Sequence, residues 1–305
     1  RLDSKLITRI LHGWPLFWLI SLPLCALMLH RTLTSDFSNG EDISALIGFS
    51  VRWAVPFIYI VVAASAVRAL FPSRFSSWWL RNRKHFGMCF AVAMAWQAVF
   101  IYIMSNAYRD YYYEEVYLLR DELEGSVGYI FLVAMVATTI PFGKKLINHQ
   151  QWKLIHTSGI YFLWAYPFSV YWWSLSYYEE PRLLDYLYYW TGFLAFALRI
   201  AAWGKRRQQQ SEQTSVISPE PILFKLMGST LILAGIVIAA TGQYWQKSLT
   251  SFLTAPHWSE QLVLWLPYWP FEPFYSLAII GIGTLLLTQT INDTPHSKAK
   301  AISYE

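Results

Sequence analysis

The sequence predicts an all-α integral membrane protein of about eight transmembrane helices, six forming one bundle and the last two a separate pair. Three observations carry that reading. Of 305 residues, 55% are hydrophobic, 18% aromatic and only 14% charged, whereas soluble domains carry about 25% charged residues. The apolar residues gather into blocks near the roughly 20 residues that a helix needs to cross the hydrocarbon core. The basic residues alternate between successive loops.

The blocks are 14–30, 46–67, 86–105, 127–142, 154–176, 184–203, 222–241 and 274–291. Arg1, Lys5 and Arg9 precede the first, and Arg68, Arg74, Arg81, Arg83 and Lys84 lie between the second and third. Lys144, Lys145 and Lys153 separate the fourth from the fifth. Lys205, Arg206, Arg207 and Lys225 separate the sixth from the seventh, and Lys298 and Lys300 follow the eighth. The opposite loops hold only Arg31, Arg109, Arg120, Arg182 and Lys247, and Arg52 sits just inside the second block. By the positive-inside rule both termini are cytoplasmic, and a bacterial inner membrane is the simplest host. The acidic loops, among them Asp110, Glu114, Glu115, Asp121, Glu122 and Glu124, then face outward.

The net charge of +5 is therefore explained by topology and by contact with anionic lipid, not by nucleic acid. Cys25 and Cys89 fall inside apolar blocks and show no metal spacing. The first block lacks a small-residue cleavage site and reads as an anchor. Residues 1–13 and 292–305 are cytoplasmic tails. Residues 204–221, "GKRRQQQSEQTSVISPEP", read as a polar, flexible linker between six helices (14–203) and a final pair (222–291). Two outer loops stand out. One is 106–126, acidic and tyrosine-rich. The other is 242–273, rich in tryptophan and proline, which suits a membrane–water boundary or a half-buried lid. Both are candidate surfaces for a protein partner.

The fifth block, "WKLIHTSGIYFLWAYPFSVYWWS", opens with Trp152 and His156 and is followed by Tyr161. The third is preceded by "RNRKHFGMCF", with Gly87 in its first turn, and the basic turn "GKKLINHQQWKLIH" leads into the fifth. On these features residues 14–203 resemble the ferric-reductase-like transmembrane domain, the haem-carrying fold of NADPH oxidases, ferric reductases and the membrane subunit of methionine sulfoxide repair. The resemblance implies histidine pairs on the third and fifth helices, each pair gripping a low-spin b-type haem. The outer positions it implies are Gln97 and Ser169, neither an imidazole. On the fifth helix the inner position is His156. On the third it is Arg83, with His85 displaced by two residues, a turn of about 200° at 100° per residue. The expectation is a haem-depleted fold without a cofactor. The alternative is a single inner haem between His85 and His156, or else interfacial histidines that hydrogen-bond water and headgroups. His12, His149 and His296 read as solvated.

Arg52 and Arg199 read as structural charges that snorkel. Gln97 is too deep for that and needs a hydrogen-bond partner: Ser169, or a Gln or Tyr from a neighbouring helix. Trp96, Trp164, Tyr166, Phe168 and Trp172 are expected to fill the volume that a porphyrin would occupy. No Gly-rich strand–turn–helix, serine-nucleophile signature or metalloprotease spacing occurs, so any electrons would come from a separate reductase. Three functions follow: a scaffold or partner-binding subunit of a membrane system, a one-haem electron carrier, or a lipid- or small-molecule-handling protein.

Overall fold

The computed structural model describes residues 10–214 and 222–289, and among these there is helix and no strand. Each of the eight apolar blocks coincides with a helix. The chain runs α1 (Trp14–Leu33), α2 (Gly40–Leu70), α3 (Arg74–Ala107), α4 (Leu119–Thr139), α5 (His149–Tyr177), α6 (Leu183–Thr214), α7 (Ile222–Ala240), α8 (Gly242–Thr254), α9 (Ser259–Trp265) and α10 (Tyr275–Leu287). Of these, α1, α2, α3, α4 and α7 are long and apolar enough to cross a membrane. Helices α5 and α6 have the length, while α10 is apolar but shorter.

Helix ends follow local chemistry more than hydropathy. Ser73 and Ser76 form a reciprocal capping box that starts α3, well before its apolar block, so "RFSSWWLRNRKH" is helical although polar. Asn148 and Gln151 do the same for α5 and bring His149 into its first turn. Such boxes satisfy amide groups that the first helical turn leaves without partners.

The core lies where α2, α3, α5 and α6 meet, around Val55, Ile58, Val62, Phe90, Trp164 and Phe168. Helix α1 packs on α3, α4 on α5, and the α7–α10 pair packs on α6 through α10. Helices α7 and α10 touch backbone to backbone: a Cβ on Gly228 would stand 2.7 Å from the Gly283 carbonyl oxygen, and one on Gly283 equally close to that of Gly228. Small residues permit this approach in lipid, where packing rather than water expulsion joins helices.

Two segments differ from expectation, and a third takes the second of its two expected forms. Residues 106–126 are not an open loop. Helix α3 runs to Ala107, then come a single turn (Arg109–Tyr111) and a π-helical turn (Tyr112–Val116) before α4. Tyrosines explain this corner: Tyr112 is buried against Ile43, Leu46, Phe100 and Met104, and Tyr108 donates to the Phe37 carbonyl at 2.6 Å. The linker expected from residue 204 is helical as far as Thr214, as an extension of α6, and 215–221 lie outside the described residues. The 242–273 loop folds as a lid of α8, α9 and a 3-10 turn (Glu272–Phe274), with α8 against α5 and α9 against α4. Tail residues 292–305, with His296, lie outside the described residues.

Candidate functional site

A cavity of about 310 Å³ opens between α2, α3, α4, α5 and the tyrosine corner. Its walls are apolar: Val51, Val55, Phe90, Met94, Ile101 and Leu163 contribute. Polar groups enter at two levels. In the body stand Gln97, Tyr129 and Tyr166; towards the tyrosine corner stand Asp121, Glu122 and Glu124 from the first turns of α4. A volume at the lower end of the small-molecule range, mostly apolar with a few polar groups, is the usual composition of a ligand pocket.

Gln97 is one of its lining residues. Its Oε1 accepts from Tyr129 Oη at 2.8 Å, and the same hydroxyl lies 3.1 Å from the Met94 carbonyl. The partner that a deep glutamine requires is therefore a tyrosine on α4. No hydrogen bond to Gln97 Nε2 or Tyr166 Oη is formed among the described residues, which leaves both available to a guest. Ser169 is buried on α5 and is not among the residues lining this space.

The aromatic filling expected of this compartment does not occur, because the helices turn those rings elsewhere. Trp96 points to α1, with its indole 3.5 Å from Cys25 Sγ. Trp164 donates to the Gly192 carbonyl on α6 at 3.0 Å and stacks on Phe168 and Phe196. Trp172 packs against Tyr189 and Trp245. Of the five, Tyr166 alone lines the cavity, and the space beside Gln97 stays open.

The mouth is acidic and partly locked. Glu124 is buried, accepting from Arg120 Nε at 3.1 Å and from the Tyr268 amide of the lid at 2.9 Å. Glu122 accepts from Tyr112 Oη at 2.7 Å. Burial, reinforced by that hydrogen bond to a carboxylate, pushes the Tyr112 hydroxyl well above its ordinary range. Asp121 is exposed and has no ion-pair partner within 4.0 Å among the described residues, although the Arg120 charge is near enough to act on it.

The ends of the same helices away from the tyrosine corner are built differently. His156 accepts from or donates to Thr138 Oγ1 at 3.0 Å and stacks on Trp152, with centroids 4.3 Å apart. His85 instead lies edge-on to Trp14 of α1 at 5.6 Å, and its Nδ1 is buried without a partner. The two rings thus take different neighbours. Arg83 is the α3 residue within electrostatic reach of His156, and also of Arg199 and Tyr161, as a two-residue turn of the helix requires. Arg199 takes partners within the bundle. Its Nε donates to Tyr161 Oη at 2.8 Å and its Nη1 reaches the Val62 carbonyl at 3.1 Å and Ser65 Oγ at 3.2 Å. The guanidinium also lies over the Tyr161 ring at 4.8 Å. Arg52 lies within α2, more than three turns from its start, and Tyr188 Oη donates to its carbonyl at 2.7 Å. Among the described residues no group of three or more His, Cys, Asp or Glu could hold a metal ion.

Comparison with protein-family models, with curated proteins and with solved structures gave no match.

Proposed function

We propose that this chain is a small-molecule- or lipid-handling membrane protein that takes its ligand from the outer side, into the compartment beside Gln97. The carrying observation is the 310 Å³ cavity itself. Its apolar body suits a short hydrocarbon segment, whose burial contributes about 25 cal/mol per Å² removed from water. Gln97 Nε2 and Tyr166 Oη offer polar contacts along its length. The unpaired Asp121, with Glu122 beside it, favours a positively charged or hydrogen-bond-donating end at the mouth.

In this reading about eight helices cross the membrane. Helices α5 and α6 join the five apolar ones because tyrosine and tryptophan, which lower their hydropathy, suit membrane boundaries; α10 completes the pair with α7. The first six keep a ferric-reductase-like arrangement, with Gln97 and Ser169 replacing an outer imidazole pair. Exposed rings on the lid, Tyr244, Phe252, Trp258 and Trp265, would anchor it at the outer boundary of the membrane, with a bacterial inner membrane as the simplest host.

Binding of decylamine to nanodisc-embedded protein, read by native mass spectrometry, tests the assignment. A Cβ on Gly125, which lines the cavity, would meet nothing within 4 Å. Gly125→Trp therefore blocks the space without forcing the fold. The expected result is saturable decylamine binding that this substitution weakens at least about tenfold, which is about 1.4 kcal/mol. Equal binding by both proteins would overturn the assignment.

A further inference from the structure

A second polar site lies at the outer end, between the core and the C-terminal pair, away from the cavity. Three elements each contribute residues one helical turn apart, a spacing that places them on one face. Helix α5 brings Trp172 and Ser176, followed by Tyr177; α8 brings Gln246 and Thr250; the 3-10 turn and the start of α10 bring Glu272 and Ser276. Contacts tie them together. Tyr177 Oη lies 3.2 Å from both Glu272 carboxylate oxygens and 3.1 Å from Thr250 Oγ1. Gln246 Nε2 donates to the Ser176 carbonyl.

Glu272 and Gln246 are each only 1% exposed. No cation lies within 4.0 Å of the Glu272 carboxylate among the described residues. A buried carboxylate without a counter-charge is costly. Three further polar atoms here are buried without a partner: Gln246 Oε1, Ser276 Oγ and Trp172 Nε1. These are three of the five such side-chain atoms among the described residues, and they stand on the same three segments as Glu272 and its partners. Unsatisfied buried groups in a native fold call for an ion, a water or a proton.

The chemistry separates those occupants. Burial disfavours the charged form of Glu272, while the hydrogen bond that Tyr177 donates and the Arg120 charge favour it, so a bound cation would offset what burial costs the carboxylate. The unpartnered oxygens are an amide carbonyl and a hydroxyl, both neutral ligands for a hard cation. One carboxylate among neutral oxygens balances a single positive charge. The geometry points to a binding site for a monovalent hard cation of sodium type, formed by Glu272, Gln246, Ser276, Thr250 and Tyr177. Such an ion would join α5, α8 and α10 and hold the lid and C-terminal pair on the core.

Thermal unfolding in nanodiscs, with sodium, lithium, potassium, calcium or choline chloride at constant ionic strength, tests this. The expected result is a saturable rise in Tm with sodium or another small monovalent cation, relative to choline. Near-isosteric Glu272→Gln should abolish the rise. Ser276→Ala, which removes one neutral ligand, should weaken the apparent affinity at least about tenfold while leaving Tm in choline close to wild type. A Tm indifferent to cation identity would mean an ordered water only, and a response confined to calcium would exclude a monovalent site. Either outcome, or an unchanged sodium response in Ser276→Ala, would overturn the proposal. Decylamine binding at the cavity is independent of each of these results.

Discussion

Helices α3 and α5 line one cavity, and their two ends, outer and inner in the proposed topology, use their polar groups in opposite ways. At the inner end, Arg83, His156, Tyr161 and Arg199 crowd together, and the arginine of α6 satisfies a carbonyl and a hydroxyl of α2 as well as Tyr161 of α5. At the outer end, Gln97 makes one hydrogen bond to Tyr129 and faces open space with acids at its entrance. The inner polar groups serve as cross-links between helices; the outer ones are left with capacity to spare. A polar residue in a membrane helix thus supports function most clearly where its hydrogen-bonding capacity is not consumed by the protein.

The largest expected effect lies at the inner end. Arg199→Leu removes charge-assisted bonds to the Val62 carbonyl and Ser65 Oγ and leaves Tyr161 Oη short of a partner, a loss of about 3 kcal/mol. Gln97→Leu should cost about 1 kcal/mol or less, since Tyr129 Oη keeps the Met94 carbonyl at 3.1 Å. Unfolding titrations in mixed micelles measure both, and equal losses would erase the distinction between the two ends.

A pH effect is expected at neither end of α3–α5 but at the lid. Burial holds the Glu272 carboxyl above its ordinary value. Within the window between the unfolded and folded values, the native state therefore keeps a proton that the unfolded chain has released. The group's contribution to stability is intact below that window and is lost as pH rises through the folded value. Tm in choline medium should fall across it, the fall should be smaller in sodium, and Glu272→Gln should remove it. A fall that persists in that variant would point to another group.

The smallest effect is at the entrance. Asp121 is exposed, and solvent screening limits its worth to under about 1 kcal/mol. Asp121→Asn should reduce decylamine affinity about threefold while leaving decanol affinity unchanged, as competition measurements in nanodiscs would show. An equal loss for both would assign Asp121 a structural role.

Much of the fold was legible in the sequence, because apolar blocks of spanning length specify helices whatever surrounds them. The ends were less so. The polar turns Arg74–His85 and 204–214 are helical through capping and continuation of an existing helix, neither of which hydropathy registers. The 242–273 lid was open between boundary segment and cap; it is held by contacts such as Glu124 to the Tyr268 amide, 144 residues apart. Gln97's need for a partner could be read from its depth, and a neighbouring tyrosine was among the candidates. The two-residue offset of His85 from Arg83 could be read too, and it accounts for the side of α3 on which each lies. The cavity could not be read, because it is a space left between four helices, from which Trp96, Trp164, Phe168 and Trp172 turn away. Nor could the Glu272 cluster, whose members lie on three elements up to about 100 residues apart in sequence.

The most direct test of an open outer compartment is a high-resolution map of the protein in lipid nanodiscs. Elongated non-protein density between Gln97, Tyr129 and Asp121, absent in Gly125→Trp, is the predicted result. Side chains of Phe162 and Tyr166 collapsed into that space, or a porphyrin wedged beside Gln97 and Ser169, would contradict it.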